Sequence, residues 1–156
     1  DITSRWGVAV NVADATQARF ESPYDRYALT TPHCTEYCVT IARGRTPMPA
    51  ADVAIAAFVR ESMGEDPDRA VTVARGTSPS GIAWVVRRFV VRMGVPGVEG
   101  QSIHYLAEVS RFFATVPLDA TSHLVCTGYV EHAVTSMDDP AMRAARDVCL
   151  SLARLP

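Results

Sequence analysis

The chain has 156 residues and contains no lysine, so all 15 of its cationic side chains are arginine. It has no block of basic residues, and its formal net charge is −2 at pH 7. Nucleic-acid binding needs concentrated positive charge, so this composition argues against it. No apolar run approaches the roughly 18 residues that a membrane-spanning helix requires. With 48% hydrophobic and 21% charged residues, the chain is also not disordered, and its length predicts a single domain over residues 1–156.

Motifs for catalysis are missing as well. The stretch 75–81 has two glycines but no lysine, and it separates two predicted strands, which favours a hairpin loop over a phosphate-binding loop. There is no Gly-x-Ser-x-Gly turn and no His-x-x-x-His pair. The neighbouring Asp138 and Asp139 suit the start of a helix better than acid–base catalysis. We therefore expect no catalytic residues and no cofactor.

What the chain does contain is a run of four extended segments rich in β-branched and aromatic residues. They cover residues 71–74, 82–93, 103–116 and 123–133. Short, turn-forming stretches separate them, and strands joined by short loops pair antiparallel. The second segment is apolar on both faces, since Val85 and Phe89 alternate with Trp84 and Val86. This pattern is typical of a central strand that is covered on both sides.

Weaker signals flank this run. Strands are predicted at residues 6–12, 27–31 and 37–42, and helices at 52–63 and 138–154. Ser136 or Asp138 is expected to cap the second helix, while the polar segment 14–19 is expected to be a loop or one helical turn. The predicted fold is α+β: a twisted antiparallel sheet of five to seven strands flanked by two main helices.

The four cysteines form an even set, which allows three disulfide connectivities in an exported domain. Cys34 and Cys38 flank a predicted hairpin bend, which brings near neighbours within reach. Cys126 and Cys149 fall on the inward faces of the last strand and the last helix. We expect disulfides Cys34–Cys38 and Cys126–Cys149, with four inert thiols as the alternative in a reducing compartment.

His33 adjoins Cys34, so two thiolates and an imidazole fall within six residues. Such a set could hold copper(I), or zinc with a fourth ligand. The spacing is not that of a zinc knuckle, however, and no second cysteine pair of similar spacing follows. The main expectation is no bound metal, and a copper or zinc carrier using His33, Cys34 and Cys38 stays as an alternative.

The order of elements resembles the PsbP-like fold family, which includes the LpqN and DcrB types of bacterial exported proteins. The resemblance rests on the early hairpin, the helix at 52–63, Gly81-Ile82-Ala83-Trp84 before a long strand, and the strand His123–Val130 before the terminal helix. It covers about residues 27–155, and the stretch before Tyr27 departs from the family's short opening. It implies a small exported accessory protein without catalysis, chaperone-, immunity- or lipoprotein-like, that is periplasmic, cell-surface or secreted.

Two other groups have a comparable order: small cone-shaped α+β folds and helix-grip domains. A helix-grip domain would be a ligand-binding protein or an enzyme with a cavity under the C-terminal helix. The absence of a polar catalytic set favours the exported accessory protein over a helix-grip domain, with another protein as its partner and no nucleic acid. Asp1 is expected to be a processed or artificial end, so that a leader or a lipid anchor would lie upstream of it.

Overall fold

A computed structural model of the chain describes residues 5–12, 17–34, 36–45 and 70–154. Along these ranges the elements are β1 (Val8–Ala9), β2 (Ala18–Glu21), β3 (Arg26–Leu29), β4 (Val39–Gly44), β5 (Val71–Thr77), β6 (Ala83–Pro96), β7 (Ser102–Pro117), β8 (His123–Val130), α1 (Pro140–Leu150) and β9 (Ala153–Arg154). Short 3₁₀ turns at Ser22–Tyr24 and Val98–Gly100 lie between β2 and β3 and between β6 and β7. No helix in these ranges is long and apolar enough to cross a bilayer.

Seven strands form one sheet in the order β2-β3-β4-β8-β7-β6-β5, and every neighbouring pair is antiparallel. The strands β1 and β9 pair separately. The predicted α+β fold with an antiparallel sheet of five to seven strands is therefore confirmed. The described residues contain one main helix, α1, and the range 52–63, expected to form the other, lies outside them.

Three local expectations are wrong in detail. The helix predicted over 138–154 ends at Leu150, and the chain after it pairs with β1. Its N-cap is Asp139, whose Oδ1 accepts a hydrogen bond from the Met142 N–H at 3.0 Å. In addition, β2 overlaps the predicted loop at 14–19. The register Phe20↔Tyr27 and a distance of 5.0 Å between these two ring centroids hold this edge strand, so pairing with the adjacent strand β3 outweighs its weak local propensity.

The sheet has an apolar core on each face, as the double apolar pattern of β6 predicts. On one face, Val86 and Phe112 pack in a cluster with Met142, Ala145 and Val148 of α1. On the opposite face, four buried side chains form a second cluster: Val85, Phe89, Val109 and Phe113. Burial of each large apolar side chain contributes roughly 1.5–3 kcal/mol, so both faces support the central strands.

The helix lies directly on the sheet where it crosses β8. A Cβ added at Gly128 would be 2.3 Å from the Ala145 Cβ, which is closer than two carbon atoms can approach. There is consequently no room at this crossing for the ligand cavity that a helix-grip domain requires.

The structure contains both expected disulfides. Cys126–Cys149 joins β8 to α1, with a Cα–Cα distance of 5.5 Å and both residues 0% exposed. Cys34–Cys38 lies in the β3–β4 connection, with a Cα–Cα distance of 6.3 Å and both residues half-buried. The first fastens two core elements, whereas the second closes a short loop at the surface.

The hairpin of β6 and β7 extends beyond its neighbours. It pairs from Ala83↔Thr115 to Pro96↔Ser102, but β8 pairs with β7 only over residues 110–117 and β5 pairs with β6 only over residues 83–88. Residues 89–109 therefore form a two-stranded ribbon, here called the arm, with no third strand in the described part of the chain; its first pair, Phe89 and Val109, is buried in the second cluster. Its eight residue pairs correspond to about 26 Å.

We expect Gly128→Ala to lower the free energy of unfolding by roughly 1–3 kcal/mol, because the added methyl group pushes α1 off the sheet. The double variant Gly128→Ala/Ala145→Gly removes the methyl group that the new one would contact, so it should recover most of the lost stability. A deficit of about 1 kcal/mol should remain, because a glycine inside a helix is less stable than an alanine. Urea denaturation of the three proteins measures the difference. A Gly128→Ala protein as stable as the original would contradict the contact.

Replacing Cys126 and Cys149 by alanine should destabilise the protein by roughly 3 kcal/mol, because the disulfide restricts the unfolded chain and closes a long loop. The matched Cys34→Ala/Cys38→Ala protein loses a much shorter loop and should lose only about 2 kcal/mol. Chemical denaturation under oxidising and reducing conditions checks both values. Equal stability of the oxidised and reduced protein would rule out a structural role for either bond.

Candidate functional site

A cavity of about 370 Å³ opens beside the disulfide in the β3–β4 connection. Its walls come from that connection, from the end of β8 and the chain just after it, and from the first turn of α1. The polar side chains at the wall include His33, Glu36, Glu131 and His132. The antiparallel pairing of β4 with β8 places the two loops side by side, since the Tyr129 N–H donates to the Cys38 carbonyl at 2.7 Å.

Thr31 supports the sulfur atoms of the Cys34–Cys38 disulfide. Its backbone N–H points at the Cys34 Sγ at 3.2 Å, and its hydroxyl lies 3.5 Å from the same sulfur and 3.7 Å from the Cys38 Sγ. The Thr31 side chain is buried, so these polar groups hold a fixed position against the disulfide. The Glu36 carbonyl oxygen lies 2.9 Å from the same Cys34 Sγ, so two donors and one acceptor face this sulfur.

His132 and Asp139 form the second polar group at the cavity. The His132 Nε2 lies 2.6 Å from the Asp139 Oδ2, while the other carboxylate oxygen caps α1. Burial by itself would raise the pKa of the Asp139 carboxyl, but the hydrogen bonds from His132 and from the Met142 N–H outweigh it. The pKa of Asp139 consequently lies below its ordinary value of 3.8.

The residues proposed as metal ligands do not form a metal site in this form of the protein. Cys34 and Cys38 are bonded to each other, so neither sulfur is a thiolate that could bind copper or zinc. His33 lines the same cavity. Among the described residues, no group of three or more histidine, cysteine, aspartate or glutamate side chains could hold a metal ion.

The same disulfides decide what the cavity can do chemically. His132 held by Asp139 is an arrangement that can orient a base, but all four cysteines are oxidised and no thiol nucleophile lies beside it. Sequence reasoning missed this pair, because His132 is seven residues from Asp139 and only the turn into α1 brings them together. An Asp at a helix N-cap with a histidine in the preceding turn is the signal that could have indicated it.

The arm carries a second candidate surface. Val95 and Ile103 lie opposite each other and share a face with Tyr105, because side chains alternate along a strand. Ile103 is 59% exposed, Leu106 on the other face is 65% exposed, and Val98 at the tip is 87% exposed. Grouped exposed apolar side chains are a common mark of a contact surface. The sequence predicts the strands but not this exposure, which depends on where β5 and β8 end.

The edge of the hairpin that β6 forms carries positive charge. The strand β6 carries Arg87, Arg88 and Arg92 and no acidic residue. Beyond Arg88, no strand of the described part of the chain pairs with this edge. The edge therefore presents backbone hydrogen-bonding groups beside positive charge.

Comparisons with known proteins give a relation at the level of fold. No protein-family model and no curated protein matches the chain. Among solved structures, LpqN of Mycobacterium tuberculosis matches with a TM-score of 0.51 and 12% identity, over 96% of this chain and 83% of LpqN. This likeness supports the expected relation to the LpqN type in fold alone.

A protein from Bacteroides thetaiotaomicron VPI-5482 also matches, with a TM-score of 0.48 and 14% identity. The match covers 96% of this chain but 46% of the Bacteroides protein, so the chain spans less than half of that protein's length.

The His132–Asp139 pair predicts a specific pH dependence. Because the folded state lowers the pKa of Asp139 below 3.8, the carboxylate contributes stability above its unfolded-state pKa, and this contribution disappears as the pH falls through the folded-state value. The Asp139→Asn protein keeps a capping side chain but lacks this contribution. Its stability deficit relative to the original protein should therefore shrink as the pH falls from 5 through the acid transition.

Thermal unfolding at a series of pH values measures this deficit. Asp138→Asn is the control, since it removes the same charge one residue away from the pair. A deficit of Asp139→Asn that stays constant from pH 5 downwards, or that Asp138→Asn reproduces, would show that the pair contributes no charge-dependent stability.

Proposed function

We propose that the chain is a small exported accessory protein of the cell envelope, which acts without catalysis by binding another protein. The arm is the observation that carries this proposal. The proposal also includes a relation of this chain to the PsbP-like family through its LpqN type. LpqN is described as involved in cell envelope biogenesis. Two disulfides support an oxidising compartment, since such bonds are rare in the cytosol.

The arm is suited to strand addition. A two-stranded ribbon leaves the outer N–H and C=O groups of both strands without a ladder partner, and an extended segment of another protein can pair with them. The exposed side chains of Val95 and Ile103 then supply apolar contact on one face of the enlarged sheet. An isolated ribbon is marginally stable in water, so a third strand would also stabilise the arm.

A lipid bilayer is a poorer occupant of this surface. Each unpaired backbone group placed in hydrocarbon costs several kcal/mol, and the edges of the ribbon, which pair with no third strand among the described residues, present a row of them. A second copy of the chain is also disfavoured, because pairing β6 with β6 would bring the Arg88 and Arg92 side chains of both copies together. The partner is therefore an extended protein segment with apolar residues on one face and acidic residues opposite Arg88 and Arg92.

The test places a photocrosslinking amino acid, p-benzoylphenylalanine, at Val95 in the protein exported by its own host. We expect a crosslink from position 95 to an extended segment of another envelope protein. The same amino acid at Tyr24, which is 66% exposed and outside the arm, should give no such product. A crosslink to lipid, to a second copy, or equally from position 24 would overturn the proposal.

A synthetic peptide of the crosslinked segment then allows affinity to be measured by calorimetry. Arg92→Glu should weaken binding about tenfold, because it replaces an attraction by a repulsion, and Val95→Asp about a hundredfold, because it buries a charge. Arg75→Glu reverses the same charge on β5 away from the arm and should change binding less than twofold. Equal effects of Arg92→Glu and Arg75→Glu would show that the edge of β6 is not the binding surface.

A further inference from the structure

The two disulfides differ in whether a reagent can reach them. Cys126–Cys149 is sealed between β8 and α1, with both residues 0% exposed. Cys34–Cys38 is half-buried at the wall of an open cavity of about 370 Å³. Thiol–disulfide exchange requires a thiolate to approach one sulfur directly, so the first bond is reachable only after unfolding. The second is reachable in the folded protein.

We propose that Cys34–Cys38 is a thiol–disulfide exchange site for small neutral or cationic thiols that enter this cavity. The reaction is separate from the binding of a protein at the arm and does not depend on it. It requires no turnover by the protein, since the disulfide itself is the oxidant and is consumed.

The exchange takes place in two steps. The incoming thiolate attacks the Cys38 Sγ, forms a mixed disulfide with it, and breaks the Cys34–Cys38 bond, whose electron pair leaves on the Cys34 Sγ. A second thiolate attacks the sulfur of the bound small thiol and releases Cys38 as a thiolate. Two small thiols are thereby oxidised to their disulfide, the two cysteines are reduced, and the two protons of the small thiols pass to the cysteines.

Thr31 sets the direction of attack. A thiolate leaves more readily when donors stabilise its charge, and the Thr31 N–H and hydroxyl lie 3.2 and 3.5 Å from the Cys34 Sγ. Cys38 has only the hydroxyl at 3.7 Å. The Glu36 carbonyl oxygen, 2.9 Å from the Cys34 Sγ, can accept a hydrogen bond from Cys34 once this sulfur has taken up its proton. The two Thr31 donors and this acceptor together make Cys34 the leaving sulfur and Cys38 the sulfur that is attacked.

The charge of the cavity selects the thiol. Glu36 and Glu131 lie on its wall, and no arginine is among the described residues that line it. An anionic thiol such as glutathione is repelled by these carboxylates, whereas neutral dithiothreitol is not and cationic cysteamine is attracted. The effect is a few-fold at low ionic strength, because exposed charges are screened.

The experiment uses the whole folded protein and follows each cysteine separately. The protein is exposed to dithiothreitol, cysteamine or glutathione for increasing times, quenched with N-ethylmaleimide and analysed by mass spectrometry of its fragments. We expect Cys34 and Cys38 to react at least about a hundredfold faster than Cys126 and Cys149, with early cysteamine adducts on Cys38. The ratio of the cysteamine rate to the glutathione rate at Cys34–Cys38 should be higher in the folded protein than in the urea-unfolded protein.

Thr31→Val and Thr31→Ser separate the role of the hydroxyl from that of shape. Thr31→Val removes the hydroxyl with little change in size and should slow exchange about tenfold, as expected for losing a hydrogen bond to a charged group. Thr31→Ser keeps the hydroxyl and should react within about twofold of the original protein. If Thr31→Val does not fold, the proposal is tested by the original protein alone, through the relative rates of the two cysteine pairs and the position of the early cysteamine adducts.

Several results would overturn the proposal. Equal rates at all four cysteines would mean that reduction proceeds through unfolding, and early adducts on Cys34 would reverse the assigned direction. A Thr31→Val rate equal to that of Thr31→Ser would remove the role of the hydroxyl. A ratio of cysteamine to glutathione rates that is the same in the folded and the urea-unfolded protein would show that the cavity does not select thiols by charge.

Discussion

Pairing of β6 with β7 supports both the core and the arm. The fourteen residue pairs from Ala83↔Thr115 to Pro96↔Ser102 place Val85 and Phe113 on one face and Val86 and Phe112 on the other. These side chains form the two apolar clusters, so a slip of one residue would exchange the faces and destroy both. The same pairing continues beyond β5 and β8, where no strand of the described residues pairs with the edges of the arm.

The helix α1 depends on this sheet in turn. Gly128 leaves space for Ala145, and the Cys126–Cys149 bond fixes the helix to the same strand two residues away. The position of α1 brings Asp139 to His132 and so forms one wall of the cavity. The position of α1 on β8 therefore determines both the tight packing in the middle of the helix and the cavity at its beginning.

The two candidate surfaces are chemically different. The arm offers backbone groups, apolar side chains and the arginines of β6, which suit an extended protein segment. The cavity offers a reachable disulfide, a fixed donor in Thr31 and carboxylates, which suit a small thiol without negative charge. The cavity residues come from the β3–β4 connection, the end of β8, the chain after it and the start of α1, and none of those described belongs to the arm.

Local sequence patterns were sufficient for the four long strands, for a terminal helix and for both disulfide pairings, because alternation, helical periodicity and loop length are properties of neighbouring residues. They did not reveal β2, which is held by Tyr27 rather than by its own propensity. They also did not reveal the His132–Asp139 contact or the exposure of Ile103 and Leu106. A strand segment has the same sequence whether a third strand covers its edge or not. Only the tertiary structure, which sets where β5 and β8 end, therefore decided that no strand of the described residues covers the arm.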